Sequence, residues 1–180
     1  MTQAFHIFET PIGHAGLAWG DQGLIGCHLP EPQTDNVRAR MHKRFPEAVE
    51  TAAPPPAIAA AVGDIRRLLA GEKPDLLDVA IEEARVPEFN RRVYEIARAI
   101  PPGETLTYGD IAVKLGDKLL ARDVGQAMGQ NPWPIVVPCH RVVAAGGKLG
   151  GFSARGGAST KLKLLAIEGA QAAAQGDLFG

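Results

Sequence analysis

The densest chemistry in the sequence is the run Pro138-Cys139-His140-Arg141. A thiol near a base can become a thiolate, the form of cysteine that acts as a nucleophile. In an extended strand neighbouring side chains point to opposite faces, so Cys139 and His140 would not meet. Pro138 and the residues after it must therefore turn the backbone if thiol and imidazole are to touch directly or through a water. The plain alternative for an isolated cysteine is a small buried hydrophobe, and Cys27 is assigned to that class. Cys139 is lifted out of it by its surroundings.

Those surroundings are helical from Pro87 onward. Phe89, Val93, Ile96, Ala97 and Ile100 recur at helical spacing and stop at Pro101-Pro102-Gly103, which predicts a helix over 87–100. TYGDIAVKLG and KLLARDVGQAMGQ then read as two helices joined at Gly116-Asp117, the layout of a helix-turn-helix. The second of these carries Ala121, Gly125, Ala127 and Gly129, which leave one side nearly bare. Such a side suits either close packing on another helix or close approach to a nucleic-acid groove, with Arg122 projecting from the first turn. NPWPIVVPCHRVV follows, apolar and β-branched between prolines, then the Gly-rich loop GGKLGGFSARGG and a last helix at about 159–169.

The first half reads differently. AFHIFETPIG, GLAWG and GLIGCHL are strand-like runs split by glycines and by Asp21-Gln22-Gly23, a hairpin or meander. A helix is expected at 34–45, with Thr34 or Asp35 as its cap and Pro46 as its stop. Pro54-Pro55-Pro56 marks a connection, a helix over 57–70 ends at Gly71, and a short strand is expected around Leu76–Ile81. No chemistry is evident in this half. The division predicted is an α+β domain over 1–84, a mostly helical domain over 85–170 and a tail over 171–180.

Composition narrows the class. The chain has 180 residues, 46% hydrophobic and 22% charged, as a folded protein does. Two cysteines make no disulfide framework, the N-terminus has no secretory pattern, and no apolar run approaches the ~20 residues of a membrane span. A protein of a reducing cytoplasm is expected, without a membrane partner. The net charge of −1 is an average: residues 1–84 hold 7 Lys and Arg against 12 Asp and Glu, and residues 85–170 hold 12 against 7. The basic half is where an anionic partner would sit.

Between Ala99 and Gly169 the pieces IPPGETLTYGDIA, ARDVGQAM, QNPWPIVVPCHRVV, GKLGGFS and KLKLLAIEG occur in order and closely spaced. Together they resemble the O6-alkylguanine-DNA alkyltransferases, also called methylated-DNA–protein-cysteine methyltransferases. The resemblance implies a small N-terminal α/β domain of ribonuclease H-like type and a second domain of winged helix-turn-helix-like type. It implies a monomer that needs no cofactor and binds double-stranded DNA through the minor groove. There it would flip out O6-alkylguanine, mainly O6-methylguanine and with O4-methylthymine as a further substrate, and move the alkyl group irreversibly to its own cysteine.

Carried over by position, Cys139 would be the acceptor, His140 the base acting through a water, and Glu168 the acid that orients the imidazole. Arg122 would fill the stack vacated by the flipped base. Tyr108 would crowd the phosphate and donate to the guanine ring, and Asn131 would tie the recognition helix to the active-site strand. Ala121, Gly125 and Ala127 would face the groove, which is only ~6 Å wide and excludes bulk. Pro134 and Met128 would wall the base pocket, the carbonyls of Cys139 and Val142 would accept from the exocyclic amine, and Ser153 would contact O6. The chain departs from the family pattern in its longer loop GFSARGGAST and in Asp123, where a small apolar residue is usual. That acid would weaken phosphate attraction unless it pairs with Arg122 or Lys118.

Three further readings follow from the residues. Cys27, His28, His6 and His14 lack zinc-type spacing, so no metal is expected. Gln175, Asp177, Leu178 and Phe179 resemble the pentapeptide with which bacterial proteins bind the sliding clamp. Two other functions use the same residues: a non-catalytic sensor that binds alkylguanine without removing it, and a cysteine hydrolase. Sensors of that kind lack the acceptor cysteine, and a hydrolase would need an oxyanion hole that no motif here supplies.

Overall fold

The computed structural model describes residues 2–147 and 157–170. Its contacts divide the chain into two units, one of residues 1–85 with 132–136, the other of residues 86–131 with 137–180. The fold is mixed α+β.

In the first unit β1 (Ala4–Thr10), β2 (Gly13–Gly20) and β3 (Gly23–Glu31) form an antiparallel meander, with β4 (Val49–Glu50) parallel to β1 at its other edge. Alternation along β1 sorts the two faces. Phe5 joins Ala18 and Ile25 in a core with Val37, Met41 and Phe45 from α1 (Thr34–Arg44) and the loop after it. Phe8, of opposite parity, lies beneath the Arg66 guanidinium of α2 (Pro56–Leu69). One helix therefore covers each face. Gly16 and Gly26 let α1 approach: a Cβ at Gly26 would lie 2.2 Å from Phe45 and one at Gly16 2.9 Å from Met41.

Two local expectations are corrected. Helix α1 takes Gln33 as its N-cap, without a side-chain cap bond, in place of Thr34 or Asp35. Residues 76–81 form no strand; Leu76 is left-handed at φ 58°, and Asp75 Oδ1 accepts from the Leu77 N–H in a local turn that competes with pairing. Only Ile81 bridges, to Leu24. That bridge and the segment 132–136 line the outer edge of β3. Leu24 N–H donates to Ala80, Cys27 N–H donates to Pro132, and the indole N–H of fully buried Trp133 donates to the Leu24 carbonyl at 2.8 Å. An edge that would otherwise be open is thereby paired.

The second unit holds α3 (Glu88–Arg98), α4 (Tyr108–Lys114), α5 (Ala121–Gly129) and α6 (Gly157–Glu168) around a two-stranded parallel pair, β5 (Leu106–Thr107) and β6 (Val142–Val143). A capping box between Thr107 and Asp110 starts α4. Gly116, at φ 105°, turns the chain toward α5, and the Asp117 carboxylate caps the intervening 3-10 turn. Helix α3 braces α5 through the Tyr94 hydroxyl, which donates to the Ala127 carbonyl at 2.7 Å, and through Asn90, which donates to Gln130.

Trp133→Ala should lower stability by ~3–5 kcal/mol, the cost of emptying a large buried site. Trp133→Phe should cost only ~1 kcal/mol, because the Leu24 carbonyl keeps the Glu82 N–H as a donor. Urea denaturation of both variants checks this, and equal losses would refute the packing account.

Candidate active site

The backbone does turn at the cysteine. After Pro138, residues Cys139–Arg141 form a single 3-10 turn, closed by Arg141 N–H donating to the Pro138 carbonyl at 2.8 Å. The turn leads directly into β6, so all three side chains are fixed between a proline and a strand. All three are buried.

The Asn131 amide, just after α5, donates to the Val137 carbonyl at 2.8 Å and also hydrogen-bonds the Cys139 thiol. It links the recognition helix to the segment bearing the nucleophile. Burial pushes the Cys139 thiol above its ordinary range, while the Asn131 bond, the Lys161 ammonium and the N–H groups of residues 139 and 140 oppose that shift. The resting group is a thiol.

His140 and Glu168 meet across the unit. His140 Nε2 lies 2.8 Å from Glu168 Oε2, with both side chains nearly inaccessible. A carboxylate at Nε2 places the ring proton there. Nδ1, equally buried, has no hydrogen-bond partner among the described residues. Burial lowers the pKa of His140, against the pull of Glu168 and helped by Arg141 and Lys161, so the ring is neutral at rest with Nδ1 as its basic atom. Burial alone would raise the Glu168 carboxyl, but hydrogen bonds from His140 and Arg141, with the Arg141 charge, hold it at about 2.

Two participants escape a reading of the sequence alone. Arg141 grips Glu168 with Nε and Nη2 at 2.9 and 2.8 Å, and its Nη1 donates to the Ile100 carbonyl. Lys161, fully buried, donates from Nζ to the Val142 carbonyl at 2.7 Å, and burial lowers its pKa to about 8. The available signals were that Arg141 sits two residues from Cys139, and that Lys161 precedes Glu168 by seven residues, two helical turns on the same face.

Other expected residues are distributed as follows. Tyr108 is half-buried at the head of α4, its phenol pKa raised by burial and by the nearby Cys139 thiol. Arg122 and Asp123 are exposed on the first turn of α5, and no ion pair joins Asp123 to Arg122 or Lys118 among the described residues. Gly125 opens onto free space, and Ala121 is partly exposed. Ala127 is a correction: it is buried with Val124 and Met128 on the inner side of α5, beneath Tyr94, and cannot present its methyl to a groove. The nearly bare side therefore serves both open alternatives, with Ala127 packing inward and Gly125 facing out. Pro134 is buried within the segment counted with the first unit. Ser153 and the tail residues 175–179 lie outside the described residues. His28 is hydrogen-bonded by Glu31, and no group of three potential metal ligands gathers among the described residues.

The arrangement is a buried thiol followed by an imidazole that a carboxylate orients, beside a helix pair whose second member shows an exposed arginine. Residues 88–170 match the family model for the DNA-binding domain of 6-O-methylguanine DNA methyltransferase. A methylated-DNA–protein-cysteine methyltransferase of Mycolicibacterium paratuberculosis is 38% identical over 97% of this chain and 98% of its own. A Thermus thermophilus relative, 35% identical over 89% of this chain and 97% of its own, is a DNA base-flipping protein. The Mycobacterium tuberculosis OGT crystallised in complex with DNA superposes with a TM-score of 0.73 at 32% identity, over 94% of this chain and 96% of that one.

The stability of the folded protein should fall with acid. The Glu168 carboxyl is held at about 2 against an ordinary 4.5, so its contribution is complete above about 4.5 and disappears as the pH drops toward about 2. His140, kept neutral below its ordinary 6.5, acts in the same direction, because the unfolded chain takes up that proton first. Glu168→Gln should lose ~3–5 kcal/mol at neutral pH by stranding Arg141, and should show a shallower slope between about pH 5 and about pH 3. Urea midpoints against pH decide this; parallel slopes would exclude Glu168 as a source.

Proposed function

The chain belongs to the family of methylated-DNA–protein-cysteine methyltransferases, and on that premise we propose that it repairs O6-alkylguanine in duplex DNA by taking the alkyl group onto Cys139. The observation that carries this reading is the buried Cys139-His140 turn, in which Glu168 holds Nε2 of the imidazole at 2.8 Å and leaves Nδ1 without a partner. In the reaction, His140 Nδ1 receives the thiol proton through a water and Cys139 Sγ attacks the O6-alkyl carbon. A sulfur–carbon bond forms as the carbon–oxygen bond breaks. The electron pair goes to the guanine, which is neutralised by a proton at N1. The thioether has no route back to thiol, so each molecule acts once.

The target carbon lies inside the duplex, so the base must rotate out, at a cost of a few kcal/mol. Arg122 is the exposed side chain suited to occupy the gap, and Tyr108, close to the thiol, is suited to donate to the flipped ring. The Val142 carbonyl already accepts from Lys161 and has a second lone pair for the exocyclic amine, which the Cys139 carbonyl would share. Pro134, Met128 and Ser153 complete the proposed pocket, Asn131 braces the cysteine, and Ala121 and Gly125 form the groove-facing strip. We assign the units a ribonuclease H-like and a winged helix-turn-helix-like architecture, and the protein a monomeric, cytoplasmic life. No helix among the described residues is long and apolar enough to cross a membrane. A pure damage sensor would have no use for a nucleophile with this base, so Cys139 favours the repair reading.

Incubation with duplex DNA containing O6-methylguanine, followed by mass spectrometry, should find one methyl per protein on the Cys139 peptide. Cys139→Ala should gain none while still binding DNA. Arg122→Ala should slow transfer on the order of tenfold, about 1.4 kcal/mol. An unmodified native protein that still bound the lesion would turn the conclusion to the sensor. The segment from Gln175 to Phe179 is assigned to a sliding clamp, with Leu178 and Phe179 as apolar anchors and Gln175 and Asp177 as polar ones. Deleting residues 175–180 should abolish clamp capture and leave methyl transfer intact; unchanged capture would sink that assignment.

A further inference from the structure

His140 can accept the Cys139 proton only if it rests as a neutral imidazole, and Glu168 works against that state. A carboxylate bonded to a buried imidazole favours the imidazolium, since pairing is how a buried charge is tolerated. With Glu168 as the only charged neighbour, the ring would be drawn toward the protonated state, with burial alone opposing it. The structure contains a competitor for the carboxylate. Arg141 Nε donates to Glu168 Oε1 at 2.9 Å, and Nη2 donates at 2.8 Å to Oε2, the same oxygen that receives His140 Nε2–H. Nη1 is anchored on the Ile100 carbonyl at 2.7 Å, and the Arg141 side chain is only 3% exposed.

We propose that Arg141 is a positioning residue: by neutralising Glu168 through a two-pronged grip, it leaves His140 an Nε2–H imidazole whose Nδ1 is free to take the Cys139 proton. The inference rests on the alkyl-transfer reading for the source of that proton, though not for the charge state of His140.

The charged groups acting on the ring are Glu168 and Lys161 from α6 and Arg141 from its own turn. Tyr94 of α3 and Tyr108 of α4 face the thiol. Arg141 engages the carboxylate with two nitrogens, and Lys161 Nζ donates to the Val142 carbonyl. Lys161 adds repulsion of the same sign. Burial, then Arg141 and Lys161, act to keep the His140 pKa low against Glu168. The proton balance closes without a further reagent. The Sγ proton moves to Nδ1, the imidazolium shares Glu168 with Arg141 while the sulfur–carbon bond forms, and the departing guanine takes a proton in turn.

The test is the pH dependence of methyl transfer to Cys139, with O6-methylguanine duplex as substrate, alongside an NMR titration of the His140 ring. Arg141→Gln removes the charge, so the acid limb should move up by about one pH unit or more, with the rate lost on the acid side of the new midpoint and recovered in alkali. Arg141→Lys keeps the charge and should keep the native midpoint at a lower rate. An unchanged midpoint in Arg141→Gln, with a uniformly lower rate, would mean that Arg141 only holds the fold and would overturn the proposal. Should Arg141→Gln fail to fold, the native ring decides: an Nε2–H imidazole at pH 7 supports the proposal, and an imidazolium or an Nδ1–H tautomer overturns it. Should the native protein take up no methyl at all, the alkyl-transfer reading fails. The ring titration of native against Arg141→Gln still decides the role of Arg141.

Discussion

The second unit is organised around one buried carboxylate. Glu168, at the C-terminal end of α6, binds two residues that are adjacent in sequence, His140 and Arg141. Removing a carboxylate from water costs several kcal/mol unless its lone pairs are filled by charge-assisted donors, and here three such donors converge on two oxygens. Everything that fixes those donors is thereby conscripted. The 3-10 turn must place His140 and Arg141 on the same carboxylate, Ile100 must offer its carbonyl at the end of α3, and α6 must end where it does. The same constraint sets the imidazole tautomer, so fold and reactivity are decided by a single contact.

The nucleophile is governed by a different balance. Cys139 is placed where burial disfavours the thiolate, while Asn131, Lys161 and two backbone N–H groups favour it. Neither side removes the other. Asn131 is central because its amide serves both the Val137 carbonyl and the thiol, which couples the end of α5 to sulfur. A displacement of α5 by nucleic acid would be felt at the reacting atom through one residue.

Much of this was legible in the sequence, for reasons that can be named. Periodicity gave α3 to within two residues at each end, and the glycines and prolines punctuated the meander and α2 correctly. Thr107 and Asp110 have capping-box spacing, so the start of α4 was readable in the same way. Pro138 marked a required turn, and the distance in sequence between Cys139 and Glu168 was no bar to their sharing a site. What failed were features decided by competition. Residues 76–81 have strand-like composition, yet an Asp75 side chain satisfies the backbone locally before a ladder can. Ala127 looks groove-facing from composition alone, and only the position of Tyr94 on a separate helix shows it to be core. Arg141 and Lys161 lie in runs that the sequence singled out, yet it gave them no role; their burial depends on acceptors at Glu168, Ile100 and Val142 that no local pattern reveals.

Burial of the thiol also bears on an acceptor that acts once. A thiolate exposed to the cell would meet alkylating agents and oxidants directly, and one stray reaction would remove the molecule from use. Keeping Cys139 protonated and nearly inaccessible at rest makes it a poor target for such reagents. Its activation then depends on a base that is itself kept neutral, ready and out of solvent. The chemistry therefore waits for a substrate that can reach the pocket, and the groups that delay the thiolate are the ones that reserve it for the right carbon. Near-neutral overall charge fits the same logic: with an acidic first half offsetting a basic second half, discrimination falls to shape and to the reaction itself rather than to bulk attraction for phosphate.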